Sequence, residues 1–206
     1  AESAGMGWTG KHTLLIHKTS GSFFVLGELF TSLELPFDQA TTKHCGSCSA
    51  CIDICPTQAI VEPYLLDARK CIAYLTIEFQ GIIPEELRRG IGNRVFGCDD
   101  CQLICPWNSF AKTTPIDDFN PRHGLDDIQL IDLWQWDENT FMANTEGSPL
   151  RRTGYQSFMR NVAIGLGNAP FSDEILQQLQ ASRPELNDIV QVHIDWATKE
   201  QLMKKH

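Results

Sequence analysis

The chain has 206 residues, of which 42% are hydrophobic and 21% charged, a composition typical of one medium globular domain or two small ones. It contains no run of about 18 apolar residues, so the sequence predicts no membrane span. Its net charge of −9 does not exclude a nucleic-acid partner, because basic side chains can share one face of an acidic protein.

The first residues and the cysteine pattern favour a location in a reducing compartment. The chain does not begin with methionine, and residues 1–5 read as the interior of a longer segment, so we expect a fragment of a longer protein. No basic stretch followed by an apolar run marks a signal peptide, which favours a reducing cytoplasm. Seven of the eight cysteines lie in two tight blocks, and this disfavours the alternative of structural disulfides in a secreted protein.

The first 44 residues open with glycines and continue into apolar runs. Residues 14–16 and 23–26 are predicted to form short strands or buried segments. Residues 5–10 match G-x-G-x-x-G, but a dinucleotide site needs a strand before the glycines and a helix after them. Because a strand is predicted after these glycines, a tight backbone approach to another ligand is the favoured interpretation.

The cysteine blocks carry the strongest chemical signal. Residues 45–56 read C-x2-C-x2-C-x3-C-P, the run of bacterial ferredoxins, in which the fourth cysteine ligates the other cluster of a two-cluster protein. Residues 98–106 read C-x2-C-x3-C-P and lack one cysteine. Cys71, on a helix predicted over residues 67–80, is the obvious replacement.

Exchange of the fourth ligand between the blocks assigns all eight cysteines to two [4Fe-4S] clusters. The first cluster would be held by Cys45, Cys48, Cys51 and Cys105, and the second by Cys55, Cys71, Cys98 and Cys101. Zinc is the main chemical alternative, since C-x-x-C pairs also build tetrahedral zinc sites, but those sites rarely use this run and need no exchanged ligand. Two such clusters indicate a protein that passes single electrons.

An acidic stretch and a helical region follow the cysteines. Residues 107–149 have eight acidic side chains against two basic ones, and prolines interrupt them. Further on, Ser172 precedes two acids, and Ser182 precedes a proline and Glu185, so both serines are predicted to begin helices. A mostly helical period runs over residues 186–197, and the succession of short amphipathic helices predicts a HEAT-like unit.

Several segments, in the right order along nearly the whole chain, resemble epoxyqueuosine reductase. They are residues 4–13, 21–28, both cysteine blocks with Cys71 between them, 105–108, 148–152 and 160–168. The resemblance implies a cobalamin-dependent oxidoreductase that reduces epoxyqueuosine to queuosine at the wobble position of tRNA, with electrons relayed by the two clusters.

The resemblance also implies roles for individual residues. Those lining the corrinoid side would be Trp8, Gly10, Lys11, Ser22, Gly27 and Glu28, and those contacting RNA would be Arg151, Arg152 and Arg160. The alternatives are core packing for Trp8, turns for the glycines, and solvated charges for Lys11, Glu28 and the arginines. The family's proposed proton donor is an aspartate upstream of this chain, so no catalytic residue is predicted here. We expect the fragment to hold clusters, bind cobalamin poorly and lack turnover.

The predicted fold is α+β, with a bacterial-ferredoxin-like two-cluster module, a flanking α/β segment and a C-terminal HEAT-like region. The predicted domains are the C-terminal part of a corrinoid-binding reductase domain (1–44), the ferredoxin-like domain (45–110), an acidic linker (111–148) and a HEAT-like tRNA-binding region (149–206). Expected partners are tRNA carrying epoxyqueuosine and an electron donor such as a flavodoxin or ferredoxin reductase system, with no membrane and a monomeric chain. A stand-alone ferredoxin-type module and a reductive dehalogenase-like cobalamin enzyme are the alternative functions.

Overall fold

The computed structural model describes residues 1–181 and 183–205, and these form two compact units. The first unit combines Ala1–Cys71 with Asp99–Asp117, and the second combines Ile72–Cys98 with the chain from Asp118 onward. Within the described ranges, no helix has both the length and the apolarity needed to cross a membrane.

The described elements follow one another in this order: β1 Trp8–Thr9, β2 Leu15–Ile16, α1 Ala50–Asp53, β3 Ile60–Glu62, β4 Leu65–Leu66, α2 Ile72–Ile77, α3 Glu85–Ile91, α4 Asp100–Leu103, α5 Leu130–Trp134, α6 Glu138–Asn144, α7 Tyr155–Asn168, α8 Asp173–Gln180 and α9 Asp188–Lys204. Short 3-10 turns lie at Glu2–Ala4, Ala68–Lys70, Pro106–Phe110, Asp117–Phe119 and Pro149–Thr153. Strands and helices together confirm the α+β class, whereas the HEAT-like interpretation stays a prediction.

Two small antiparallel sheets belong to the first unit. In one, Trp8 pairs with Ile16, which confirms the strand predicted over residues 14–16. In the other, β3 pairs with β4. The strand predicted over residues 23–26 is wrong: this stretch is irregular and Val25 is 87% exposed. An apolar run becomes a strand only where a neighbouring segment pairs with its backbone.

The helix predicted over residues 67–80 is shorter than expected. Asp67 accepts a hydrogen bond from the Arg69 amide (3.1 Å) and caps the 3-10 turn that follows. Cys71 then adopts an extended backbone (φ −69°, ψ 122°), and α2 begins only at Ile72. Cys71 therefore precedes the helix, because its extended backbone interrupts the helical dihedrals at that point.

Helix α7 lies at the centre of the second unit and packs against α9, α5 and α3. It is buried along almost its whole length. A Cβ built on Gly167 would lie 2.6 Å from the Trp196 ring and 2.9 Å from the Ala197 Cα, so glycine permits the close approach of α7 to α9.

Asparagines of α7 also cap the ends of two neighbouring helices. The side-chain amide of Asn161 donates to the Thr76 carbonyl (2.8 Å) in the last turn of α2 and to the Val95 carbonyl (2.9 Å). The Asn168 amide donates to the carbonyls of Arg88 (2.8 Å) and Gly92 (3.0 Å) at the end of α3. Carbonyls at helix C-termini lack an intrahelical donor, so these amides satisfy groups that would otherwise be unpaired.

Two helix starts are predicted near the C-terminus, and the structure confirms the one at Ser172. Ser172 caps α8 as expected, accepting from the Ile175 amide (3.4 Å). Ser182 lies outside the described residues. The first helical turn predicted at Pro184 is wrong, because α9 begins at Asp188 and Asn187 is its cap. The Asn187 side chain accepts from the Val190 amide (3.1 Å), a bond that defines the helix start.

The stretch predicted as an acidic linker, residues 111–148, contains α5 and α6 in the structure. Its apolar residues Leu133, Trp134 and Phe141 are buried in the core of the second unit. The division of the chain into four domains stays a prediction.

Candidate metal centre

The two C-x2-C-x3-C-P runs fold in the same way. Each contains a four-residue helix, α1 in the first block and α4 in the second, and the two helices contact one another. In both, an isoleucine amide, that of Ile54 or Ile104, donates to the carbonyl of the first helical residue over 3.1 Å. The repeated spacing therefore produces a repeated backbone, as expected for paired ligand loops.

One cysteine set lines a common cavity within the first unit. The cavity has a volume of about 110 Å³, and its lining includes Cys45, Cys48, Cys51 and Cys105. The first three come from the loop before α1 and from α1 itself, whereas Cys105 follows α4. These are the four cysteines that the exchanged-ligand pattern assigns to the first cluster.

The thiols that line this cavity have raised pKa values, which suits a cationic metal centre bound between them. Burial raises the pKa of Cys51, and the nearby thiolates of Cys105, Cys45 and Cys48 raise it further. Burial also raises the pKa of Cys105, against hydrogen bonds from the backbone of Trp107 and Asn108. Thiolates that repel one another in a partly buried site need cationic metal between them to stay deprotonated. The residues present therefore fit a thiolate-ligated iron–sulfur cluster.

The cysteines surround a cavity and do not converge on one point. Across residues 1–181 and 183–205, no group of three or more His, Cys, Asp or Glu side chains is arranged to hold a metal ion. A four-iron cluster needs wider spacing of its sulfur ligands than a single tetrahedral ion does. The cavity and the mutual influence of its thiols therefore suit a cluster better than a single ion.

The other predicted ligand set consists of Cys55, Cys71, Cys98 and Cys101. Cys55, Cys71 and Cys101 belong to the first unit, and Cys98 ends the first stretch of the second unit, directly before Asp99 in the chain. The Ala59 amide donates to the Cys55 sulfur over 3.2 Å. The second ligand set stays a prediction.

Lys11 lies beside the cluster cavity. Its ammonium group donates to the carbonyls of Gly46 (2.8 Å) and Cys48 (2.7 Å), which lie in the loop before α1. These bonds connect Lys11 to the loop that carries the cluster cysteines, and its predicted place on the corrinoid side stays a prediction.

Other residues predicted for the corrinoid side are engaged within the first unit. Trp8 is 1% exposed and packs edge-on against Trp107, with ring centroids 4.8 Å apart. The Ser22 hydroxyl donates to the side-chain oxygen of Gln102 (2.9 Å). The Ser22 backbone amide donates to the side-chain oxygen of Asn108 (2.6 Å). These contacts give Trp8 and Ser22 structural partners.

Gly10, Gly27 and Glu28, which were also predicted to line the corrinoid side, have different surroundings. A Cβ on Gly10 would lie 2.6 Å from the Ile16 side chain, so Gly10 sits in a tight hairpin. Gly27 and Glu28 are exposed in an irregular stretch, and nothing lies within 4 Å of a Cβ built on Gly27. Gly27 and Glu28 therefore have surface free for a ligand.

The arginines predicted to contact RNA have three different surroundings. Arg152 has a 69% exposed side chain, with its guanidinium 3.7 Å from the Glu78 carboxylate. Arg151 donates to the Met142 carbonyl, and its Nε is buried without a partner. Arg160 is only 1% exposed, so the structure gives it a place in the core and not on an RNA-facing surface. Sequence spacing placed Arg160 on a helix but did not reveal that every face of that helix is covered.

Sequence reasoning assigned no role to His12, yet His12 lines the cysteine cavity and is 3% exposed. The available signal was its position in the segment 4–13, next to Lys11. Asn108, within the segment 105–108, likewise has no predicted role of its own, and its side-chain amide donates to the Ser22 hydroxyl and so connects the 3-10 turn after Cys105 to Ser22.

The paired ligand loops and the cysteine cavity define a class, the ferredoxin-like proteins that bind two [4Fe-4S] clusters. Residues 44–108 match the family model described as a 4Fe-4S double cluster binding domain. The chain is 56% identical over 200 residues to epoxyqueuosine reductase of Pseudomonas aeruginosa, covering 97% of this chain and 55% of that protein. It is 52% identical over 206 residues to epoxyqueuosine reductase of Escherichia coli, covering 100% of this chain and 54% of that protein.

Solved structures agree with these relatives. Epoxyqueuosine reductase of Streptococcus thermophilus matches with a TM-score of 0.86 and 30% identity, over 99% of this chain and 54% of that one. A crystal structure of epoxyqueuosine reductase with an epoxyqueuosine-modified tRNA-Tyr stem loop matches with a TM-score of 0.89 and 29% identity, over 98% and 53%. Over almost its whole length this chain is similar to epoxyqueuosine reductases, and it spans about half the length of the relatives it matches.

Proposed function

We propose that this chain is the cluster-binding and tRNA-binding part of an enzyme that reduces epoxyqueuosine in tRNA to queuosine. The observation that carries the proposal is the cavity lined by four cysteines from both ligand loops. It stands in a chain that is 52–56% identical to two epoxyqueuosine reductases. The structural neighbour with a modified tRNA stem loop supports tRNA as the substrate-bearing molecule.

The chain's own residues hold and shield the clusters in this proposal. Four cysteines, Cys45, Cys48, Cys51 and Cys105, would ligate one cluster, and Cys55, Cys71, Cys98 and Cys101 the other. Such clusters supply electrons one at a time. Trp107 lines the first cavity and packs on the buried Trp8, which keeps water from that side of the site. Lys11 holds the ligand loop in place through two carbonyls.

Cobalamin is proposed from the family resemblance. Conversion of the epoxide to an alkene and water consumes two electrons and two protons, so single-electron donors need a carrier that accumulates two. Among the predicted corrinoid residues, Gly27 and Glu28 are exposed. Trp8, Gly10 and Ser22 are buried in the first unit and Lys11 is half-buried, and their contacts to a corrinoid stay predictions.

The remaining partners stay predictions: a flavodoxin or ferredoxin reductase system as electron donor, a monomeric state and a cytoplasmic location. The two alternative functions, a stand-alone ferredoxin-type module and a reductive dehalogenase-like enzyme, have less support, because the relatives named above are epoxyqueuosine reductases.

Metal analysis after anaerobic reconstitution tests the proposal. We expect about eight irons and eight sulfides per chain, as two [4Fe-4S] clusters require. Cys105→Ala should lose a large share of this iron, whereas Ser109→Ala, which changes an exposed hydroxyl in the following turn, should keep all of it. In a reductase of full family length that contains these residues, Cys105→Ala should also abolish loss of the epoxide oxygen from a modified stem loop, measured by mass. Zinc in place of iron, or full turnover by Cys105→Ala, would contradict the proposal.

A further inference from the structure

His12 is held in one orientation by the turn between β1 and β2. Its Nδ1 accepts a hydrogen bond from the Leu14 amide over 3.1 Å. The turn is closed by the Gly10 amide, which donates to the Leu14 carbonyl over 2.8 Å. A Cβ on Gly10 would lie 2.9 Å from the His12 ring, so the backbone there leaves room for the imidazole and little else.

The proton of the neutral imidazole can then be placed. A neutral ring carries one N–H, and Nδ1 is an acceptor, so the proton lies on Nε2. Burial lowers the pKa of His12, which keeps the ring neutral near pH 7. Nε2 is therefore an N–H donor, fixed in place by the backbone contact on the opposite side of the ring.

This donor is buried and has no partner in the protein. Among the residues that the structure describes, Nε2 of His12 is one of four buried side-chain nitrogen or oxygen atoms without a hydrogen-bond partner. Buried polar groups in native proteins are almost always paired, so an orphaned donor points to a partner that is not a protein atom. His12 lines the cavity that also contains Cys45, Cys48, Cys51 and Cys105, and this cavity is the place for such a partner.

We propose that the Nε2–H of His12 donates a hydrogen bond to a sulfur of the cluster held by these four cysteines, and that it raises the reduction potential of that cluster. The inference rests on the proposed function, because it needs the cluster to be bound. One-electron reduction adds negative charge to the cluster, and a donor aimed at its sulfur stabilises the reduced form more than the oxidised one. His12 is thus a residue that tunes the reduction potential. With its hydrogen bond, the neighbouring cluster is easier to reduce than it would be without it.

A redox titration followed by electron paramagnetic resonance tests the inference on the reconstituted protein with both clusters. We expect His12→Leu to lower one of the two potentials and leave the other unchanged. The equilibrium constant for one-electron reduction should fall about tenfold, which corresponds to 59 mV. His12→Gln, which retains an N–H donor, should recover most of the shift. His17→Leu removes the half-buried histidine that follows β2 and should change neither potential.

A second measurement does not depend on the stability of any variant. With histidine labelled by ¹⁵N, the reduced unchanged protein should show hyperfine coupling between a cluster and one histidine nitrogen. The coupling should persist in His17→Leu. Absence of the coupling, or potentials in His12→Leu equal to those of the unchanged protein, would overturn the inference while the clusters remain in place. Absence of iron and sulfide from the unchanged protein would instead overturn the proposed function, and the inference with it.

Discussion

Arg160 shows how completely a cation can be taken up by backbone groups. Its guanidinium donates to the carbonyls of Leu75, Phe79 and Gly81, each over 2.8 Å. These carbonyls lie in the last turn of α2 and just beyond it, where unpaired oxygens carry partial negative charge. Burial lowers the pKa of Arg160 to about 10, so it stays protonated at neutral pH. Its charge serves the end of a helix and cannot reach a phosphate.

His193 is a second fully buried titratable side chain in the second unit. The Ile83 amide donates to its Nε2 (3.1 Å), and its Nδ1 donates to the Ile189 carbonyl (2.6 Å). Both nitrogens are therefore used by backbone groups in the neutral form. Burial lowers the pKa of His193 to about 4, and the nearby charges of Arg88 and Arg160 act in the same direction.

This histidine should make stability depend on pH. In the unfolded state the pKa of this side chain is about 6.5, whereas in the folded state it is about 4. Between these two pH values the unfolded state therefore binds a proton that the folded state does not bind. The stabilisation is complete above pH 6.5 and is lost as the pH falls. Between pH 6 and 5, the free energy of unfolding should fall by up to about 1.4 kcal/mol per pH unit more than in His193→Gln.

Denaturant unfolding of both proteins, followed by tryptophan fluorescence, measures this difference, and the variant removes contributions that the two share. Parallel pH profiles would contradict the assignment of a neutral, buried His193.

At the scale of elements, Lys11 connects the first hairpin to the cysteine loop that precedes α1. That loop has no regular structure between Cys45 and Ser49, so its shape depends on contacts such as those from Lys11 to Gly46 and Cys48. Hydrogen bonds from a charged donor contribute about 1.5–3 kcal/mol each, enough to select one loop conformation.

Lys11→Met should therefore loosen the first cluster. We expect iron to be lost severalfold faster to an added chelator, because the loop opens more often without its two bonds. The measurement is the absorbance of the chelate over time after anaerobic reconstitution. Lys18→Met removes an exposed lysine just after the same hairpin and serves as the control, with an expected rate equal to that of the unchanged protein. An equal rate for Lys11→Met would show that the loop does not need this side chain.

At the scale of the whole molecule, the proposed tRNA partner requires exposed cations to contact its phosphates. Of the three arginines predicted for RNA, Arg152 alone is described with a largely exposed side chain, and its guanidinium is only loosely paired with Glu78. A surface pair at 3.7 Å contributes little, so the charge is available to a phosphate.

Arg152→Ala should weaken binding of a modified anticodon stem loop and reduce the slope of log affinity against log salt by about one. Fluorescence anisotropy at several salt concentrations gives both values. Lys205→Ala removes an exposed cation that is paired with Asp173, and it should change neither value. If the two variants bind alike, Arg152 is not an RNA contact.

The spacing of the cysteines determined, by itself, which chemistry this protein has. Ligand loops are local structures, so C-x2-C-x3-C-P specifies the same short helix in both blocks, and the pattern predicted which four cysteines line the first cavity. The strand β2 and the cap of α8 were likewise readable, since each depends on residues adjacent in the chain.

Only the tertiary structure decided which polar groups are buried and what they bind. Arg160 meets carbonyls about eighty residues away in the sequence, Lys11 meets a loop some thirty-five residues later, and His12 is left with an unpaired N–H beside the cysteines. Desolvation depends on which distant segments cover a side chain, and no local pattern encodes that. For this reason the cluster ligands could be predicted from the sequence, whereas the surroundings of the arginines, the lysine and the histidine followed from the fold.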